Sequence, residues 1–100
     1  MKWHATGLDP ATTRAFSVNV AGTEVMLVPI GGIWHAIEDR CSHAGCTFSD
    51  DGEIDGASAV CNCHGSEFDV RTGSVMAHPA IEPIRTFAIR ASAGVLEVRL

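Results

Sequence analysis

Two thiol–imidazole pairs stand out in this chain: Cys41-x-His43 and Cys61-x-x-His64, with residues 44 to 60 between them. Each pair carries one thiolate and one imidazole to the head of a short loop. Two sulfurs and two nitrogens aimed at a common point are the ligand set of a [2Fe–2S] centre in which two histidines replace two cysteines on one iron. Such a centre moves single electrons, and the chain's part is to hold, insulate and tune it. Zinc takes the same donor types. Its structural sites, however, pair closely spaced cysteines with closely spaced histidines or with more cysteines, whereas each loop here offers one of each. A nucleophilic Cys–His hydrolase fits less well, since it needs one activated thiol and not two matched pairs.

The elements that must carry these loops read as short strands between turns. Arg14 to Val20 alternates, with Phe16, Val18 and Val20 on one face. Ala21-Gly22 turns the chain into Glu24–Val28, and Gly31-Gly32 turns it again into Ile33–Ile37. Thr86–Arg90 and Val95–Arg99 flank Ser92-Ala93-Gly94 as a third hairpin. No long segment has helical periodicity. The expected class is all-β, an antiparallel sandwich or barrel. All four cysteines fall within residues 41 to 72, among turn signals such as Asp50-Asp51-Gly52 and Arg71-Thr72-Gly73. One domain over residues 1–100 is expected, with a base of 1–40 and 74–100 and a cluster-binding insert of about 41–73. The Asp50-Asp51-Gly52-Glu53 run reads as a solvated turn, because the spacing of a calcium-binding EF-hand loop is missing.

Composition narrows the function classes. The 100 residues carry a formal charge of −5 and no basic patch, which argues against nucleic acid and for partners with positive docking faces. The longest apolar stretch, Val25 to Trp34, is interrupted by Pro29, Gly31 and Gly32 and is too short to span a bilayer. The start, Met1-Lys2-Trp3-His4, lacks the apolar run of a signal peptide. A soluble, cytoplasmic, monomeric protein without membrane contact is expected.

Cys41-Ser-His43-Ala-Gly-Cys46 and Cys61-Asn-Cys63-His64-Gly-Ser66 resemble the two cluster loops of Rieske iron–sulfur proteins, and the resemblance runs through about residues 33–83. It implies the Rieske base-and-insert fold, with Cys41 and Cys61 on one iron and His43 and His64 on the other. The imidazoles would bind through Nδ1 and leave Nε2 near the surface. Neutral imidazoles donate less charge than thiolates, so the potential would lie above that of an all-cysteine ferredoxin. Reduction would favour imidazole protonation and link potential to pH. Cys46 and Cys63 read by themselves as two small buried hydrophobes. The resemblance implies instead a disulfide between the loops, in tension with a reducing cytoplasm unless burial shields it.

The resemblance also assigns the surroundings. Ser66 matches a serine whose hydroxyl can donate to a cluster sulfide and raise the potential, against the plain alternative of an exposed loop serine. Phe68 stands where high-potential members carry a donating tyrosine. Gly45 and Gly65 lie beside ligands, where a backbone passing close to the cluster is expected to take positive φ. Ala77-His78-Pro79-Ala80 resembles the proline loop that covers the cluster, with Pro79 as an apolar lid. His43, His64 and Pro79 would form the electron-transfer tip. His78, His4 and His35 are not expected to be ligands, and Trp3 and Trp34 read as core or sheet-face aromatics. Residues 65–100 contain one histidine, which leaves no place for the mononuclear iron site of an oxygenase.

The implied function is that of a carrier without substrate chemistry of its own. It would be the ferredoxin component of a ring-hydroxylating oxygenase system, between a flavin-dependent ferredoxin reductase and a terminal Rieske oxygenase. Two alternatives stand beside it. One is the high-potential subunit of a quinol- or arsenite-oxidising system. The other is a structural zinc-binding interaction module.

Overall fold

The computed structural model describes residues 2–43 and 45–100. Met1 at the start of the chain and Ala44 in the first loop motif lie outside the described residues. In chain order the elements are β1 (Trp3–Ala5), β2 (Phe16–Val20), β3 (Thr23–Ile30), β4 (Ile33–Glu38), the one-turn helix α1 (Phe48–Asp51), β5 (Gly52–Asp55), β6 (Ser58–Cys61), β7 (Glu67–Asp69), β8 (Val75–Ala77), β9 (Thr86–Phe87), β10 (Ile89–Ser92) and β11 (Val95–Arg99). They form three antiparallel sheets: β1-β11-β10, β2-β3-β4-β9 and β5-β6-β7-β8. The all-β expectation holds.

The three hairpins form where turn chemistry and alternation agree. β2 pairs with β3 from Phe16↔Leu27 to Val20↔Thr23, and β3 pairs with β4 from Val25↔Glu38 to Ile30↔Ile33. Ala21 and Gly22 take φ of 50° and 88°, as a tight hairpin turn demands. The expected strand Thr86–Arg90 is two strands. Thr86 and Phe87 pair with β4, whereas Ile89 to Ser92 pair with β11. The chain changes sheets at Ala88, whose carbonyl accepts a hydrogen bond from Arg99 N at 2.9 Å. Phe87 and Ile89 nevertheless pack on the same core, so the apolar alternation runs unbroken across the switch.

The Asp50-Asp51-Gly52-Glu53 run is not a simple turn. Thr47 caps α1, its hydroxyl accepting from Asp50 N at 3.3 Å, and Gly52-Glu53 already belongs to β5. The insert thus has a sheet of its own, and the last strand of that sheet, Val75–Ala77, lies beyond residue 73.

Two cores support this arrangement. Val20, Val25, Leu27, Ala36, Leu96 and Val98 join the two base sheets. Met26, Val28 and Ile37 of the base pack with Phe48, Ala59, Phe68 and Val70 of the insert, together with Cys41 and Cys61. Gly73 sits where the insert returns to the base. Its φ is 80°, its N donates to Asp69 O at 2.7 Å, and its carbonyl accepts from Ile84 N at 2.9 Å. A Cβ there would run into the Ile84 carbonyl oxygen. Gly73→Ala is therefore expected to cost about 2 kcal/mol and lower the melting temperature by roughly 10 °C in a thermal melt.

Candidate metal centre

The two loops share one backbone frame. In the first, Cys41 N donates to Cys46 O at 2.7 Å and Gly45 N to Cys41 O at 3.0 Å. In the second, Cys61 N donates to Ser66 O at 2.8 Å and Gly65 N to Cys61 O at 2.9 Å. The repeat turns on glycine: Gly45 and Gly65 take φ of 73° and 84°, which side chains disfavour. The first loop leaves the end of β4 and the second leaves β6, so base and insert each fix one side of the site.

Within this frame the donors separate by type. Cys41 and Cys61 are each 1% exposed. Their side chains interact, and both are free thiols. Burial pushes the Cys61 thiol up, the neighbouring Cys41 thiol adds to this, and backbone N–H groups of Cys63 and His64 pull the other way. The amides thus favour a thiolate that burial alone disfavours. His43 and His64 stand on the outside, both exposed, with ring centroids 4.9 Å apart and planes at 87°. Paired sulfurs inside and paired imidazoles outside fit a two-iron cluster with unlike ends.

Cys46 and Cys63 form a disulfide, which closes a separation of 17 residues. The Sγ atoms of Cys46, Cys61 and Cys63 lie within 4.8 Å of one another. Two of these sulfurs are spent in the bridge, so only Cys61 of the three retains a thiol to offer a metal. Cys63 is exposed and Cys46 half-buried, so burial does not shield the bridge and the pair is not two buried hydrophobes.

Ser66 is fully buried, which overturns the exposed-serine alternative. Its Oγ accepts from Ala80 N at 3.0 Å, which leaves the hydroxyl proton free to donate. That bond ties the Pro79 loop to the second loop. Pro79 is exposed and Ala80 buried beneath it. Phe68 is fully buried, edge-on to Phe48 at 5.7 Å, and holds apolar packing where a tyrosine would offer a hydroxyl. His78 is exposed, while His4 and His35 are half-buried in strands. Trp34 Nε1 donates to Pro10 O at 3.0 Å, and Trp3 lies under Arg90 at 4.1 Å.

Sequence reading passed over Asp39, two residues before Cys41 and 1% exposed. Between Glu38 and Arg40 it looks like one more solvated charge. Thr47 was also missed, although Thr-x-x-Asp is a recognisable helix-start spacing.

Comparison with known proteins agrees with this geometry. The Rieske [2Fe-2S] domain profile matches residues 4–88. The ferredoxin component of the p-cumate 2,3-dioxygenase system of Pseudomonas putida is 32% identical over 74% of this chain and 63% of its own length. The chain thus spans less than two thirds of that relative. The ferredoxin of carbazole 1,9a-dioxygenase from Nocardioides aromaticivorans IC177 superposes with a TM-score of 0.83 and 25% identity, over 98% of this chain and 97% of that one. A solved complex of reduced oxygenase and oxidized ferredoxin in carbazole 1,9a-dioxygenase contains a chain that matches with a TM-score of 0.83 and 26% identity, over 94% of this chain and 99% of that one. Loop frame, buried thiols, paired imidazoles and family profile converge: the chain belongs to the Rieske [2Fe–2S] domain family.

Proposed function

We propose that this protein is the one-electron carrier of a multicomponent aromatic-ring dioxygenase, taking electrons from a flavin-dependent ferredoxin reductase and passing them to the terminal oxygenase. The observation that carries the proposal is the near end-to-end likeness to a free-standing dioxygenase ferredoxin, over 98% of this chain and 97% of that one. In this reading Cys41 and Cys61 hold one iron, and His43 and His64 hold the other. The bound [2Fe–2S] cluster supplies a reversible one-electron couple. The chain's residues do the rest. Amides of Cys63 and His64 stabilise the sulfur of Cys61, and the buried side of the site excludes water. The exposed imidazole edges and Pro79 form the docking tip.

Charge distribution supports an acidic docking end. Residues 41–77 hold Asp50, Asp51, Glu53, Asp55, Glu67 and Asp69 against Arg71 alone, so the entire −5 resides there. Acidic and basic residues balance over the rest of the chain. A positive face on either partner would be steered to the cluster-bearing end. No helix among the described residues is long and apolar enough to cross a membrane. A monomer in the cytoplasm completes the proposal.

Purified native protein should be red-brown, with two irons and two acid-labile sulfides per chain and a one-electron midpoint low in the Rieske range of about −150 to +300 mV. A colourless protein with one zinc overturns the carrier reading. The disulfide and the buried Ser66 favour a second reading, the high-potential class, and a strongly positive midpoint selects it. Ser66→Ala separates two effects of one hydroxyl. The potential falls as a donor is lost, and stability falls by about 1–3 kcal/mol because the Ala80 N–H loses its acceptor. Redox titration and chemical denaturation read these independently.

A further inference from the structure

Only two polar side chains are buried among the described residues, Ser66 and Asp39. Ser66 already has a place at the site. Asp39 has none, although it lies two residues before Cys41 and is 1% exposed. Its Oδ2 accepts from Ser17 Oγ at 2.8 Å and from Ser49 Oγ, and its Oδ1 accepts from Ser49 N at 3.0 Å. Its own N–H donates to Glu24 O at 2.9 Å. No cation joins it: the ion pairs among the described residues are Asp69–Arg71, Glu38–Arg85 and Glu97–Arg90. An interior carboxyl group met by three donors, with no cation paired to it among the described residues, is held in place by hydrogen bonds alone.

Two consequences meet in this one side chain. Ser17 lies in β2 and Ser49 in α1, so the carboxylate clamps residues 39 and 49 together against the base sheet and brackets the loop from Cys41 to Cys46. Asp39 also lies two residues before the first ligand, so their Cα atoms are at most about 7 Å apart. At an effective dielectric of about 20, unit charges some 10 Å apart change an equilibrium roughly tenfold. Arg40, the adjacent cation, is exposed, so water and salt weaken its opposing effect.

We infer that Asp39 is a positioning residue that also sets the potential: its buried, cation-free carboxylate fixes the first ligand loop and holds the midpoint down. This rests on a cluster held between the two loops. Such a carboxylate would offset the upward pull that a donating Ser66 hydroxyl exerts on the potential.

Asp39→Asn keeps the shape and removes the charge. In a redox titration of cluster-loaded protein followed by visible circular dichroism, the reduced-to-oxidised ratio at fixed ambient potential should rise at least fivefold; tenfold corresponds to about 59 mV for one electron. Glu38→Gln, which removes a half-buried charge already paired with Arg85, should move the ratio less than twofold. An Asp39→Asn ratio within twofold of the native protein, or matching that of Glu38→Gln, overturns the inference. If Asp39→Asn fails to take up cluster, Ser17→Ala decides. It strips a donor from the carboxylate and should lower the ratio, and an unchanged or raised ratio overturns the inference. A native protein without a two-iron spectrum sinks the carrier reading itself. A normal native spectrum with an unmoved Asp39→Asn potential sinks only the role of Asp39.

Discussion

His64→Cys protein is expected to lose the visible spectrum of a mixed-ligand cluster. His64 is exposed at the head of the second loop, and its ring meets that of His43 at 4.9 Å. Cysteine there exchanges a neutral nitrogen donor for an anionic sulfur. The iron on that side becomes harder to reduce, and the midpoint falls toward the about −400 mV of plant-type ferredoxins if the cluster survives. If the shorter side chain cannot reach the metal, the protein comes out colourless. Cys61→Ala is the sharper companion, because Cys61 is buried beside Cys41 and nothing else in its loop can supply a free thiol. That variant should bind less than a tenth of the native iron. Absorption, iron content and sulfide content check both. A His64→Cys spectrum identical to the native one removes His64 from the ligand set.

Opening the bridge comes next in size. The Cys46–Cys63 disulfide closes a separation of 17 residues, for which chain entropy predicts about 3 kcal/mol. For a domain of this size that is a large share of the whole stability. The double variant Cys46→Ala/Cys63→Ala should therefore unfold at a clearly lower denaturant concentration and bleach faster on warming. Because Cys63 is exposed, a thiol reductant should reproduce the loss in native protein without denaturant. Denaturation with and without reductant, alongside mass analysis of alkylated thiols, reads both. Equal midpoints for native and double variant would show that the bridge adds no constraint the folded loops lack.

The hairpins of the base were legible because turn residues and alternation coincide at Ala21-Gly22 and Gly31-Gly32. The loop motifs were legible because ligand chemistry restricts both residue type and spacing. The insert's sheet was not. Its strands run three to four residues, too short for a period to register, and β5 begins directly after an acidic helix turn. The sheet switch at Ala88 was hidden because Phe87 and Ile89 keep the same apolar rhythm on one shared core. Asp39 was hidden for a different reason. Burial of a charge is decided by donors far along the chain, Ser17 and Ser49, and no local pattern announces them. The bridge was expected from its likeness to a family, but the exposure of Cys63 emerged only in three dimensions.

The core beneath the thiols is built jointly, with Met26, Val28 and Ile37 from one part of the chain and Phe48, Phe68 and Val70 from the other. Among the described residues, base and insert are packed into one another. A tip built on this shared core, in a body about 40 by 26 by 21 Å, is expected to be delivered by tumbling of the entire molecule. In the proposed role, turnover of the oxygenase would be an encounter problem, slowed by viscosity and by salt and hastened by copy number.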